Sequence, residues 1–200
     1  MKQIAILGGT FDPIHIGHLI AGQYVYDTGL FNEICIMPSG NPPHKISTEA
    51  YNKHRLAMCQ LAADSLEGFT VSDIEQTREG KIYTVDTFSY LKENNPGTKF
   101  WLIIGTDSLM NLKSWYKPEQ LLATVNFVVV DRGGYDLAEI KAMIKSLDEG
   151  YKCDLLYVKM PLIELSSTTL RERMKKGLSI ENMVPHSVHQ YMMTHELYRS

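Results

Sequence analysis

Two histidines, His15 and His18, lie three residues apart, directly after an apolar run and a pair of glycines. The segment reads GGTFDPIHIGH and begins at Gly8. Glycines let the backbone turn sharply and approach a ligand closely. At this spacing both imidazoles share one face of a first helical turn, where unpartnered N–H groups favour an anion. The pattern predicts a phosphate site in which the imidazoles stabilise charge on a pentacovalent phosphorane.

The residues alone leave two other interpretations of the pair open. Histidines three apart can bind zinc, although the sequence places no further Cys, His or carboxylate ligand nearby. An isolated pair is also typical of an ordinary helix surface. Gly17, between the histidines, favours a close approach, because glycine destabilises an exposed helix interior by about 1 kcal/mol relative to alanine.

A second candidate segment, IELSSTTLRERMKKG, spans residues 163–177. Serine and threonine cap a helix here, and the free N–H groups together with Arg171 can hold an anion. The same letters are also typical of a capping box that only stabilises the helix.

Apolar runs alternate with segments of helical spacing along the chain. Strands are predicted at residues 3–7, 33–37, 69–73, 99–104, 125–130 and 153–158. Helices are predicted at residues 15–28, 48–63, 83–93, 138–146, 167–176 and 186–195, with broken helix over 106–122 and a loop over 39–47. The alternation predicts an α/β fold, a Rossmann-like three-layer α/β/α arrangement with a mainly parallel sheet. His54 and Arg55 are expected on a helix surface.

Composition excludes several classes of protein. Hydrophobic residues are 44% and charged residues 22% of the 200 residues, as in soluble globular domains. The formal charge of −3 argues against a dedicated nucleic-acid binder. No apolar run is long enough to span a bilayer, and three cysteines in separate segments predict buried thiols in a reducing compartment. A cytoplasmic protein is expected.

The two segments together resemble a known superfamily. GGTFDPIHIGH resembles the GxFxPxHxGH signature of the nucleotidyltransferases related to class I aminoacyl-tRNA synthetases, and SSTTLR (166–171) resembles their SxTxxR motif. The resemblance implies one nucleotidyltransferase domain over residues 1–200. It also implies that the ATP-binding residues include Gly8, Gly9, Thr10, Phe11, His15, His18, Ser167, Thr168 and Arg171.

Three further segments resemble the bacterial nicotinate-nucleotide adenylyltransferase family: PPHK (42–45), YTVDT (83–87) and GTDSLMNLKSWY (105–116). On the residues alone, a surface lysine is the commoner case for the first and another capped helix is open for the second. A core or rim tryptophan is equally compatible with the third. The resemblance implies that Thr84, Trp115 and Tyr116 hold the nicotinate ring and its carboxylate, that Gly105 and Asp107 contact nucleotide, that Lys45 serves the phosphates, and that Arg132 lines the mononucleotide site.

The resemblance therefore implies an enzyme of NAD biosynthesis that transfers the adenylyl group of ATP to nicotinate mononucleotide, giving nicotinate adenine dinucleotide and pyrophosphate. It implies His15, His18, Lys45 and Arg171 as the catalytic set. Mg²⁺ is expected on the ATP phosphates and water, with no protein ligand set of its own. The expected partners are ATP and nicotinate mononucleotide, with no nucleic acid and no membrane, and a homo-oligomer is compatible with the sequence.

Other functions stay open beside this one. The acceptor could instead be nicotinamide mononucleotide or phosphopantetheine, although an indole at Trp115 favours a pyridine ring. A non-catalytic nucleotide-binding module would be free to discard His18, Lys45 or Arg171, and all three are present. A synthetase-like RNA binder is opposed by the acidic net charge.

The chain departs from the family pattern at two places. Gly40 stands where relatives often have Asn, which leaves a contact to the mononucleotide in doubt unless Asn41 substitutes for it. Gly133 stands in Arg-Gly-Gly where relatives often have Arg-Pro-Gly, and this change is expected to loosen the loop after Val130.

Overall fold

The computed structural model describes residues 1–40, 49–78, 80–131, 133–151 and 153–198, and for residues 49 and 50 only the backbone. The described strands are β1 (Lys2–Gly9), β2 (Glu33–Pro38), β3 (Phe69–Val71), β4 (Thr98–Gly105), β5 (Asn126–Val130) and β6 (Leu155–Val158). The described α-helices are α1 (Ile16–Tyr26), α2 (Glu49–Ala63), α3 (Thr84–Asn94), α4 (Thr106–Asn111), α5 (Pro118–Thr124), α6 (Leu137–Tyr151), α7 (Ser167–Lys175) and α8 (His186–Thr194).

The strands form one parallel sheet with helices on both sides, which confirms the predicted Rossmann-like α/β fold. Their order is β3-β2-β1-β4-β5-β6, so the order reverses between β1 and β4. These two strands pair in parallel from Lys2 with Thr98 to Leu7 with Ile103. Ligands of such sheets bind beyond the carboxyl ends of the strands, and the segments that follow β1 and β4 are two of those in which the sequence predicts nucleotide contacts.

The chain divides into two compact units. Unit 1 contains Met1–Leu7, Ala21–Cys35 and Ile82–Leu162. Unit 2 contains Gly8–Ile20, Ile36–Lys81 and Ile163–Ser200. The single domain over residues 1–200 stays a prediction.

Unit 1 is built on β4 and β5, whose uninterrupted apolar sequences suit strands covered on both faces. Phe127, Val128 and Val129 of β5 are fully buried. Trp101 of β4 is 9% exposed, packs edge-on against Phe31 and donates its indole N–H to Oε1 of Gln3 at 3.1 Å.

Unit 2 contains the contact between α2 and α8. Met58 of α2 and Val188 and Met192 of α8 are fully buried. The hydroxyl of Ser187 donates to the main-chain oxygen of Leu61 at 3.1 Å. A hydrogen bond of 2.9 Å also joins Nδ1 of His54 to the hydroxyl of Tyr191.

Several boundaries differ from the predicted ones for local reasons. The strand predicted to reach residue 73 ends at Val71, because the Ser72 hydroxyl accepts the N–H of Ile74 and turns the chain. Helix α6 runs on from the predicted residue 146 to Tyr151, since fully buried Leu147 extends its apolar face. Residues 41–47 of the predicted loop, and residue 48, the first residue of the helix predicted after it, lie outside the described residues.

The buried thiols are confirmed, and one helix-surface prediction is wrong. Cys35, Cys59 and Cys153 are buried, and burial raises the pKa of the Cys59 and Cys153 thiols. Arg55, expected on the surface of α2, is 1% exposed. Within the described residues, no helix has the length and apolar character needed to cross a membrane.

Two leucines of α6 test the packing of unit 1. Leu147 is fully buried, whereas Leu137 is 45% exposed. We expect Leu147→Ala to lower the free energy of unfolding by about 2–5 kcal/mol, because it leaves a cavity. The matched Leu137→Ala should change it by roughly 0.5 kcal/mol or less. Urea denaturation measures both, and equal losses would contradict the described orientation of α6.

Candidate active site

The segment after β1 brings the two predicted histidines together. The rings of His15 and His18 stack with centroids 3.6 Å apart and an angle of 23° between their planes. His15 is 2% exposed, whereas His18 is half-buried. The fully buried Phe11 ring meets His18 edge-on at 5.0 Å. The prediction that both imidazoles share one face is confirmed.

A main-chain hydrogen bond sets the proton position on His18. The N–H of His15 donates to Nδ1 of His18 at 3.2 Å. A ring nitrogen that accepts cannot carry the proton, so the neutral His18 ring bears its proton on Nε2. His18 can therefore offer an N–H donor to an oxygen anion without being charged.

The amide groups at the start of α1 are less available than the sequence predicts. The N–H of Ile16 donates to the main-chain oxygen of Met183 at 3.0 Å, and the N–H of His18 donates to the oxygen of His15 at 2.9 Å. The expectation of unpartnered N–H groups is wrong at these two positions. The segment before α8 supplies the partner of Ile16, and the turn itself supplies the partner of His18.

The glycines of the segment make room for the protein's own rings. A Cβ at Gly17 would lie 3.1 Å from Nδ1 of His15 and 3.4 Å from Cγ2 of Ile163. A Cβ at Gly9 would lie 2.9 Å from Cε1 of Phe11. The close approach predicted at Gly17 is present, but the approaching group is the His15 imidazole.

The Asp12 carboxylate is 3% exposed and joins several elements of unit 2. The Tyr51 hydroxyl donates to its Oδ1. Nη1 of Arg171 donates to the main-chain oxygen of Asp12 at 2.6 Å and lies 3.4 Å from Oδ2. Nη2 of Arg171 donates to Oγ1 of Thr168 at 3.2 Å. Burial, and then the negative charge of Asp12, raise the pKa of the Tyr198 hydroxyl.

The beginning of α7 also contacts the first segment. Ser166 is the N-cap residue, and its hydroxyl accepts the N–H of Thr169 at 3.1 Å, as the capping pattern predicts. The Ser167 hydroxyl donates to the main-chain oxygen of Pro13 at 2.8 Å. The structure therefore brings the two motifs together, although about 150 residues separate them in the sequence.

Arg55 is a residue of this site that sequence reasoning missed. Its guanidinium donates to the main-chain oxygens of Thr10 at 2.6 Å and Ser39 at 2.7 Å. Burial lowers the pKa of Arg55 and the charge of Asp12 opposes that shift, but a guanidinium stays protonated in proteins. Unit 2 therefore contains a buried cation that is hydrogen-bonded to Thr10, within the predicted phosphate-binding segment.

Unit 1 carries an aromatic cluster at the predicted nicotinate residues. Tyr83, which precedes α3, stacks on Tyr116 with ring centroids 3.8 Å apart. Nζ of Lys117 lies 5.2 Å from the centroid of the Tyr116 ring. The cluster therefore brings a cation and a second tyrosine ring to Tyr83, which directly precedes Thr84, the first residue of α3. Trp115 is half-buried at the end of the 3-10 turn Leu112–Ser114.

The segment after β4 presents the other predicted nucleotide contacts. Gly105 is the buried N-cap of α4, and Asp107 is exposed in its first turn. Thr106 donates its hydroxyl to the oxygen of Gly133 at 3.3 Å, and Gly133 donates its N–H to Oδ1 of Asp131 at 2.9 Å. The loosening expected at Gly133 stays a prediction. Its φ of +74° is a conformation that proline cannot adopt.

Three residues of the sequence predictions, Lys45, Arg132 and Asn41, lie outside the described residues, and their roles stay predictions. Gly40 is described, and it is buried with its main-chain oxygen 3.1 Å from Nη2 of Arg55.

Comparison with known proteins identifies the family of this chain. The family model described as cytidylyltransferase-like matches residues 6–173. A relative from Oceanobacillus iheyensis is 41% identical over 198 residues, which cover 99% of this chain and 97% of that protein. One from Lachnoclostridium phytofermentans is 38% identical over 199 residues, covering 99% of this chain and all of that protein. Both carry the name "Probable nicotinate-nucleotide adenylyltransferase".

The chain belongs to the nicotinate-nucleotide adenylyltransferase family. Solved structures share the fold of this adenylyltransferase chain. Plasmodium falciparum nicotinic acid mononucleotide adenylyltransferase complexed with NaAD has a TM-score of 0.81 at 22% identity, over 99% of this chain and 98% of that one. The same enzyme complexed with APC has a TM-score of 0.78 at 21% identity, with the same coverage.

The histidine geometry can be tested at Gly17. In Gly17→Ala the new Cβ must displace the His15 ring by a few tenths of an ångström, so the imidazole NMR signals of His15 and His18 should shift.

The matched control is Gly150→Ala in α6, where nothing lies within 4 Å of the added Cβ. It should leave both imidazoles unchanged. Unshifted signals in Gly17→Ala would contradict the described contact.

Proposed function

We propose that this chain transfers the adenylyl group of ATP to nicotinate mononucleotide, giving nicotinate adenine dinucleotide and pyrophosphate. The stacked His15–His18 pair, in a member of this adenylyltransferase family, is the observation that carries the proposal. An oxygen of the mononucleotide phosphate attacks the α-phosphorus of ATP. A new Pα–O bond forms, the bond from Pα to the bridging oxygen breaks, and pyrophosphate leaves with that electron pair.

The reaction needs no general base, because the attacking phosphate is already an anion. Catalysis then consists of holding the two phosphates in line and of neutralising charge as it develops. Both demands are met by fixed donors rather than by a group that gains or loses a proton. The predicted site side chains of unit 2, among them His18 and Arg171, are fixed donors of this kind.

In unit 2, the Nε2–H of His18 and the neighbouring His15 bind α- and β-phosphate oxygens of ATP. The main chain of Gly8 to Phe11 lies against the same nucleotide. Ser167, Thr168 and Arg171 bind the leaving pyrophosphate. The Asp12 carboxylate supports this role, because it orients the Arg171 guanidinium without reaching the substrate.

In unit 1, Trp115 stacks on the pyridine ring, as a half-buried indole can. Thr84 and Tyr116 bind the nicotinate carboxylate, and Lys117 adds positive charge beside them. Gly105 and Asp107 contact nucleotide. Arg132 lines the mononucleotide site. Lys45, which belongs to the sequence range of unit 2, offsets repulsion between the reacting phosphates.

Mg²⁺ belongs to this proposal as part of the ATP substrate. Magnesium keeps most of its waters and binds phosphate oxygens in preference to all-protein cages. The Asp12 carboxylate does not fit a role as its ligand, because Tyr51 and Arg171 already engage both of its oxygens. A cytoplasmic location is proposed with the reaction, and the three buried thiols support it.

Pyrophosphate release tests the reaction. With MgATP, we expect release with nicotinate mononucleotide to exceed release with nicotinamide mononucleotide or phosphopantetheine. His18→Ala should lower kcat by about 10²–10³-fold, because it removes a donor aimed at developing charge.

His186→Ala is the matched control, since His186 is an exposed residue of α8 that has no part in the proposed site. It should leave kcat unchanged. Release with only one of the other acceptors would overturn the proposed substrate, and no release with any acceptor would overturn the proposed reaction.

The acid-over-amide preference can be tested at Lys117. We expect Lys117→Glu to reduce the ratio of kcat/KM for nicotinate over nicotinamide mononucleotide by about 3–10-fold, the effect of an exposed charge at short range. The effect should shrink at high ionic strength. Lys141→Glu, which makes the same charge change on an exposed position of α6, should leave the ratio unaltered. An unchanged ratio in Lys117→Glu would contradict the proposed carboxylate position.

A further inference from the structure

Arg55 is a fully buried arginine whose guanidinium is surrounded by oxygens. It donates to main-chain oxygens of Thr10 at 2.6 Å, Ser39 at 2.7 Å and Gly40 at 3.1 Å, and to Oδ1 of Asn52 at 2.7 Å. The three main-chain acceptors belong to two different loops. Thr10 follows β1, whereas Ser39 and Gly40 follow β2.

A guanidinium suits this position for a geometric reason. Its five donors lie in one rigid plane, so several acceptors bound to it are fixed relative to one another. Nη1 faces the first loop and Nη2 faces the second, with Asn52 holding the same nitrogen from within α2. An ammonium group is a single point with three donors and cannot span the same set.

The two loops are also joined directly, because the N–H of Ser39 donates to the main-chain oxygen of Gly9 at 2.8 Å. Arg55 adds a buried charge to that junction through Thr10, which lies two residues before Asp12 and five before His15. Burying a charge is costly unless it is fully hydrogen-bonded. Four acceptors satisfy this requirement. The same hydrogen bonds hold the backbone around Thr10 in one arrangement.

We propose that Arg55 is a positioning residue for adenylyl transfer, which holds Thr10, after β1, and Ser39 and Gly40, after β2, in one geometry. The inference rests on the proposed function. Arg55 acts through main-chain oxygens and does not touch the substrate. Its loss should therefore misplace the reacting groups and lower kcat more than it weakens the binding of either substrate.

Arg55→Lys is the first variant, because it keeps the charge and removes the planar fork. We expect kcat to fall by about tenfold or more while KM for MgATP and KM for nicotinate mononucleotide each change less than about threefold. Hydrogen exchange should also speed up at the Ser39 amide and over residues 10–18.

Met58→Ala is the matched control, since Met58 is fully buried in the same helix and is not a partner of Arg55 in these hydrogen bonds. It should lower the melting temperature but leave kcat and the exchange of residues 10–18 unchanged. If Arg55→Lys does not fold, Asn52→Ala takes its place, because it removes one acceptor and retains the arginine.

A kcat near that of the wild type in Arg55→Lys, or in Asn52→Ala if that variant is needed, would overturn the proposal. So would a rise in KM alone, or an equal loss of kcat in Met58→Ala. Wild-type protein that releases no pyrophosphate would instead overturn the proposed function. The exchange comparison would then decide whether Arg55 holds the two loops, with unchanged exchange counting against it.

Discussion

Two buried opposite charges, the Asp12 carboxylate and the Arg55 guanidinium, set the arrangement of unit 2. Each has to be hydrogen-bonded completely, because an unpaired charge in the interior destabilises a fold by about 3–5 kcal/mol. Asp12 therefore binds Tyr51 and Arg171, and Arg55 binds the oxygens of Thr10 and Ser39. The contacts hold Thr10 and Asp12, which directly precede the histidine pair in the sequence. The geometry of the pair follows from them, since the main chain from Thr10 to His15 has little freedom left.

Much of the fold and the centre of the site are predictable from local sequence. The runs QIAIL, KFWLII and VNFVVV predict buried strands, because an uninterrupted apolar sequence suits a sheet covered on both faces. The shared face of His15 and His18 is equally predictable, since a spacing of three places two side chains on one side of a helix. The cap at Ser166 depends only on its neighbours, and the sequence predicts it for the same reason.

The remainder depends on contacts between distant segments. No local sequence pattern predicts that the main-chain oxygen of Met183 accepts the N–H of Ile16. That hydrogen bond occupies a donor that the sequence analysis expected to be available to an anion. The burial of Arg55, by contrast, does have a signal in the sequence. It lies at helical spacing from Tyr51, Met58 and Ala62, so it interrupts an otherwise apolar face of α2. A charged residue at such a position indicates a buried partner set, here a set of main-chain oxygens that no sequence pattern can identify.

The two tryptophans of the chain differ in a way that has a spectroscopic consequence. Trp101 is enclosed in unit 1 with its indole N–H bonded to Gln3, whereas Trp115 is half-buried beside the stacked tyrosines. Their emission spectra should therefore be separable, the first blue-shifted and resistant to acrylamide quenching, the second red-shifted and quenchable. A chain carrying Trp101→Phe would emit from Trp115 alone, and stacking of a pyridine ring on that indole would be visible as a loss of fluorescence.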